Sequence, residues 1–208
     1  MSDREWIEQY MDANGGKYIQ ANDDIWAYAE LAFKEVKSAA RLEQMLRDEG
    51  FAVETGVAGI PTCFTGTWSQ GSGKPVMGIL GEYDALAALS QEAGSAVKRE
   101  TVPGGAGHGC GHCALGTGSL AAAVAVKEYL RETGRDGTVI YFGCPAEEGA
   151  GSKQFMARAG VFEGVDFVYT WHPATVNEVE AVHSNAIMGA NFYFKGISSH
   201  AGSTPFLG

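Results

Sequence analysis

The sequence predicts an α/β protein: a three-layer arrangement in which helices cover both faces of a central sheet. Two observations carry this. Short buried-strand patterns alternate with amphipathic or Ala-rich helical patterns along most of the chain, which is how layered sheets with crossover helices are written. Polar motifs also follow three separate strand patterns at their C-terminal ends, the edge at which open α/β sheets bind ligands.

The elements follow in order. Ser2-x-x-Glu5 is a capping-box pattern that opens a helical region with Trp6, Ile7, Tyr10 and Met11 on one face. A second helix is expected over residues 38–49, with Leu42, Met45 and Leu46 facing inward and Gly50 at its stop. Short strands follow at residues 51–54 and 62–68. Residues 76–80 form a buried strand that ends in Gly81-Glu82-Tyr83-Asp84. A Gly-rich loop, residues 103–112, feeds an Ala-rich helix over residues 114–132. Another buried strand at residues 138–142 runs into Cys144-Pro145-Ala146-Glu147-Glu148-Gly149. A helix near residues 153–159 precedes a strand at 167–170, which ends in Trp171-His172-Pro173. From Ala186 the pattern changes, and residues 191–196 read as a strand of a different layer. The expected division is therefore 1–186 and 187–208.

Composition sets several function classes aside. The chain has 208 residues and a formal net charge of −10, so it lacks the basic footprint that phosphate backbones require. No apolar run approaches the roughly 20 residues needed to cross a bilayer. The polar start, Met1-Ser2-Asp3-Arg4-Glu5, lacks the pattern of a secretory signal. Cys63, Cys110, Cys113 and Cys144 read as core or site thiols and not as a disulfide framework, which fits a cytoplasmic protein.

Three motifs could carry chemistry. In Cys110-Gly111-His112, residues two apart in a looped or extended segment point to the same side, so thiolate and imidazole could share an ion or hold two adjacent ones. A buried Cys beside a hydrogen-bonded His is the structural alternative. Glu147-Glu148 lies just past a strand, where one carboxylate can bind metal while the other deprotonates the attacking water. The alternative there is a solvated acidic turn. His172 ends a third strand and suits a metal ligand. Asp84 could orient a ligand or cap the next turn. His108 stands beside the site or merely in the loop, and His183 reads as structural. Cys110 through Cys113 is also a C-x-x-C at a helix start, the layout of a thiol–disulfide oxidoreductase. That reading leaves Glu147, Glu148 and His172 unexplained.

His108-Gly109-Cys110-Gly111-His112, Pro145-Ala146-Glu147-Glu148-Gly149, Trp171-His172-Pro173 and Ser199-His200-Ala201-Gly202, in that order, resemble the aminoacylase/carboxypeptidase metallopeptidases. The similarity is to their amidohydrolase branch, closest to the p-aminobenzoyl-glutamate hydrolase group. Residues 29–35 resemble the family's N-terminal motif. The resemblance implies a catalytic domain with two divalent metal ions, zinc or manganese, and a small-molecule amide substrate cleaved by a metal-activated water. It implies Cys110, His112, Glu148 and His172 as ligands, Glu147 as general base, and Asp84 as an acidic residue near the site. His200 falls in the motif of a smaller α+β lid or dimerisation domain, where it would help polarise the scissile carbonyl. The intact protein could dimerise through that lid. Glu82 stands where carboxypeptidase relatives have a metal-binding His, and Cys113 replaces the Asp or Asn common in amidohydrolases. The family's chains are about twice as long, so residues 1–208 are expected to lack a returning segment. A dipeptidase or carboxypeptidase, or a metal-binding remnant without turnover, are the alternatives within this reading.

Overall fold

The computed structural model describes residues 1–179, 183 and 185–208. Within them, the chain divides into a large unit, Met1–Ala174, and a small one, Thr175–Gly208.

In the large unit, helix α1 (Asp3–Tyr28) starts at the expected capping box: the Ser2 hydroxyl accepts from Glu5 N–H while the Glu5 carboxylate takes Ser2 N–H. The helix runs through Gly15 and Gly16, each costing about 1 kcal/mol relative to Ala. Its later turns, anchored in the core by Tyr18, Ala21 and Ile25, outweigh that cost. The inward face expected near the start is less deeply buried. Tyr10 and Met11 pack only partly against the core, and Ile7 is 47% exposed. Helix α2 (Val36–Asp48) buries Leu42, Met45 and Leu46 as its spacing predicts.

The sheet contains β1 (Ala52–Thr55), β2 (Phe64–Gln70), β3 (Val76–Gly81), β4 (Gly137–Gly143) and β5 (Phe167–Tyr169). Their spatial order is β1-β2-β4-β3-β5. β3 runs parallel to both β4 and β5, whereas β1 and β2 are antiparallel to their neighbours. Helix α3 (His112–Thr133) connects β3 to β4, and α4 (Ser152–Arg158) connects β4 to β5.

Alternation along β4 fixes the layers. Val139 and Tyr141 enter the core beneath α1, α2 and α3, while Phe142 joins Met156 of α4 and Cys144 on the opposite face. Helices therefore cover both faces. Tyr141 is fully buried, and its hydroxyl donates to Gly116 O at 3.0 Å. Gly116 itself permits a close approach, since a Cβ there would lie 2.5 Å from Glu82 O. The first turns of α3 thus rest directly on the strand end that carries Glu82 and Asp84.

Because β3, β4 and β5 are parallel, their three polar motifs emerge at one sheet edge, as the strand pattern predicts. In the small unit, the strand expected at 191–196 does not form. No other strand is present among the described residues of that unit, and a lone strand has no ladder in which to satisfy its backbone. Among the described residues, no helix is long and apolar enough to cross a membrane.

Candidate metal centre

The centre is built on His112, the first residue of α3. Gly111 precedes it at φ +80°, a left-handed conformation that swings the loop into the helix. The His112 side chain is fully buried. Its Nδ1 lies 2.8 Å from Asp84 Oδ1, and the other Asp84 oxygen accepts the Glu148 backbone N–H at 2.8 Å. Asp84 therefore links the ends of β3 and β4 and the start of α3, and does not merely cap the turn after it. As a carboxylate it accepts a hydrogen bond from Nδ1–H, which in the neutral imidazole leaves Nε2 as the free electron-pair donor.

Two overlapping groups surround that nitrogen. Cys110, His112 and His172 place one ligand-type atom each within 4.8 Å of one another, and Glu82, His112 and Glu147 do the same. Cys110 Sγ is 3.1 Å from His172 Nε2, and His172 Nδ1 is 2.9 Å from Pro173 O. The rings of His112 and His172 meet edge to face at 5.7 Å. Glu147 approaches His112 Nε2 at 3.8 Å.

The Glu148 carboxylate stands against the Cys110 thiol. The structure thus gathers Asp84, Cys110, His112, Glu147, Glu148 and His172 at one edge. His200 belongs to the small unit, where its exposed ring accepts the N–H groups of Gly202 and Ser203, each at 3.1 Å. His183 is exposed. His108 is buried beneath α1, with Nε2 3.0 Å from Ile25 O.

Glu82 and Lys153 enter the site beyond the residues the motifs singled out as chemistry-bearing. Glu82 Oε1 pairs with the ammonium of Lys153 on α4, and Oε2 lies 3.1 Å from His112 Nε2 in an arrangement that forms no hydrogen bond. Its signal in the sequence is spacing: Glu82 and Asp84 are two apart in an extended segment and share a side. Lys153 has no comparable signal, because its pairing depends on how α4 packs.

The residues present fit a divalent cation. Glu82 Oε2, His112 Nε2 and Glu148 Oε1 are buried and have no hydrogen-bond partner among the described residues. Each is an electron-pair donor when the imidazole is neutral and the carboxylates are ionised. Leaving such atoms unpaired is costly unless a cation takes them. The electrostatics agree. Burial and the carboxylates of Glu148, Glu147 and Glu82 push the Cys110 thiol up to about 12. Burial and Glu82 raise the Glu147 carboxyl, against the opposing pull of His112 and Lys153. Burial alone would depress His112, but Asp84 and its neighbouring carboxylates outweigh it and hold the imidazole above its ordinary pKa.

These shifts run against the oxidoreductase reading. That chemistry needs a lowered thiol pKa, whereas Cys110 is raised, burial raises Cys113, and the two are not bridged.

A consequence follows for metal binding. Thiolate and neutral imidazole are the binding forms, so loading the site expels protons. Apparent zinc affinity should rise with pH, about tenfold per unit for each proton released. Calorimetry in buffers of different ionisation enthalpy measures the count directly. A pH-independent affinity near neutrality would contradict the ligand set.

Comparisons with known proteins agree with this fold. Residues 78–187, more than half of the chain, match peptidase family M20/M25/M40. The chain is 45% identical over 203 residues to a subunit of the p-aminobenzoyl-glutamate hydrolase of Escherichia coli (strain K12), covering 98% of this chain and 42% of that protein. A putative aminohydrolase from methicillin-resistant Staphylococcus aureus superposes with a TM-score of 0.67 at 27% identity, over 80% of this chain and 41% of the other. A Bacillus subtilis protein described as a dinuclear metal-binding peptidase of family M20 shares the fold, with a TM-score of 0.58 at 23% identity over 80% of this chain and 43% of the other. The chain spans about two-fifths of the length of the curated relative it matches. With its matched segment containing Cys110, His112, Glu147, Glu148 and His172, the chain belongs to peptidase family M20/M25/M40.

Proposed function

We propose that the chain forms the metal-binding part of an amidohydrolase that cleaves an amide bond in a small N-acyl amino acid or a p-aminobenzoyl-glutamate-like substrate. The observation that carries this reading is the set of three buried donor atoms on Glu82, His112 and Glu148, unpartnered among the described residues, beside the Cys110–His172 pair. Cys110, His112, Glu148 and His172 would hold one or two divalent ions, with zinc or manganese suited to the mixed sulfur, nitrogen and oxygen donors. Bound there, such ions would acidify a water and polarise the substrate carbonyl.

The protein's own groups supply the rest. Glu147 is the proton carrier: its partly exposed carboxylate reaches toward His112 Nε2 from the solvent side, and its raised pKa suits it to take a proton and return it to the leaving amine nitrogen. Glu148, pinned through its backbone to Asp84, is a ligand and not a carrier. Asp84 fixes the His112 ring. Lys153 neutralises one oxygen of Glu82 and keeps that carboxylate turned inward. His200 is assigned to the substrate carbonyl on the strength of its motif. The longer protein would be a cytoplasmic enzyme that dimerises through the region around His200.

The experiment is a hydrolysis assay of p-aminobenzoyl-glutamate and a panel of N-acyl amino acids with excess zinc or manganese. It compares residues 1–208 with a version extended to the length of the relatives. The shorter chain should be weakly active or inactive. All three residues of β5 are more than a third exposed at the sheet edge, where further chain can cover them. Orientation and electrostatic stabilisation, both large sources of rate, depend on such enclosure. Equal turnover by the two would show that residues 1–208 suffice. No hydrolysis of any amide by the extended protein with metal bound would overturn the functional reading.

A further inference from the structure

Glu35 is a buried carboxylate outside the metal centre, and the mechanism above makes no use of it. It is fully buried at the start of α2 and has three donors. Phe33 N–H and Ala146 N–H reach Oε1 at 2.9 and 2.8 Å, and the Thr62 hydroxyl reaches Oε2 at 3.1 Å. Ala146 is the residue immediately before Glu147. It holds φ +59°, a left-handed conformation that costs an Ala free energy and persists only where its surroundings enforce it. Its carbonyl is also engaged, accepting Gly149 N–H and Gly151 N–H.

The same connection between α1 and α2 grips the other carboxylate-bearing turn. Glu30 O accepts the N–H of Ala85, the residue after Asp84, at 2.8 Å. The side chain of Ala32 comes so close to Gly149 that a Cβ there would lie 2.9 Å from it. One loop thus touches the chain on both sides of Glu147-Glu148 and just after Asp84.

We propose that Glu35 is a positioning residue: by holding Ala146 in its left-handed conformation, it sets the direction in which Glu147 and Glu148 leave β4. The inference rests on the metal-hydrolase reading of those two glutamates. A buried carboxylate that served stability alone would matter equally through all three of its hydrogen bonds. Here the bond to Ala146 carries the effect on the site, and the bond to Thr62 does not.

Zinc titration of the 208-residue chain separates these. Glu35→Met removes the acceptor from Ala146 and should weaken zinc binding about 10- to 100-fold, the range for lost support of a metal ligand. Glu35→Gln keeps an acceptor oxygen and should restore near wild-type affinity. Thr62→Val removes a hydrogen bond from the same carboxylate, so it should lower the melting temperature while leaving zinc affinity near wild type. If Glu35→Met does not fold, Glu35→Asp takes its place with the same expectation, because its shorter side chain withdraws from Ala146. Wild-type affinity in the folded Met or Asp variant would overturn the inference and leave the metal site standing. So would an equal loss in Thr62→Val. A wild-type chain that binds no zinc would overturn the metal reading and this inference with it.

Discussion

Glu147→Gln, made in the extended protein, should retain bound metal and lose about two to four orders of magnitude in turnover, the span ascribed to a general base. Gln keeps the shape and cannot carry the proton. Glu148→Gln should behave differently. One of its carboxylate oxygens is buried without a partner among the described residues, and its backbone is tied to Asp84, so neutralising it should cost metal as well as rate. Metal content measured beside single-turnover rates distinguishes the two. The approach of Glu147 to His112 Nε2 makes this a demanding test, because at 3.8 Å Glu147 is itself near enough to the centre to serve as a ligand. Metal loss in Glu147→Gln alone would mean that the two roles are exchanged, and equal loss in both that they are shared.

His112→Ala should have the largest effect on the protein as a whole. Asp84 and His112 are both fully buried and 2.8 Å apart. Removing the imidazole strands a carboxylate in the core, and breaking a buried pair in this way costs on the order of 3 kcal/mol. The cost should depend on pH in a defined direction. In the metal-free chain the imidazole pKa is raised above its unfolded value. The ion pair therefore contributes fully below the ordinary histidine pKa of about 6.5, and its contribution fades as pH rises through the higher folded value. Denaturant unfolding of metal-free wild type and variant on either side of that window should show the larger difference at the lower pH. With zinc present the order reverses, because the metal needs neutral imidazole and protects the wild type alone. A difference that is independent of pH and metal would mean that His112 is only core filling.

Much of this was legible in the residues. The capping box at Ser2 and Glu5, the inward face of α2 and the five strands lie where period and punctuation placed them, because those signals are local. The gathering of Cys110, Glu147-Glu148 and His172 on one edge was legible too, since parallel strands deliver their following turns to the same side. What escaped was tertiary. Burial of α1 is deepest in its C-terminal half, at Tyr18, Ala21 and Ile25, whereas Trp6, Tyr10 and Met11 on the expected face are half-buried, a gradient along the helix that its periodicity does not encode. Lys153 carries no motif and meets Glu82 only after α4 packs over the sheet. Glu35 sits in a segment whose resemblance was visible, but its contact with Ala146 spans 111 residues and has no local signature. The strand read at residues 191–196 has suitable side chains but, among the described residues of its unit, no second strand to pair with.

Metal content tests the site most directly. Elemental analysis of the 208-residue chain purified without chelator, and of its Cys110→Ser variant, is the decisive measurement. Wild type should carry one or two divalent ions per chain, zinc or manganese by the chemistry of its donors, and the variant markedly less. Equally little metal in both, or a readily reducible Cys110–Cys113 disulfide accompanied by reductase activity, would contradict it.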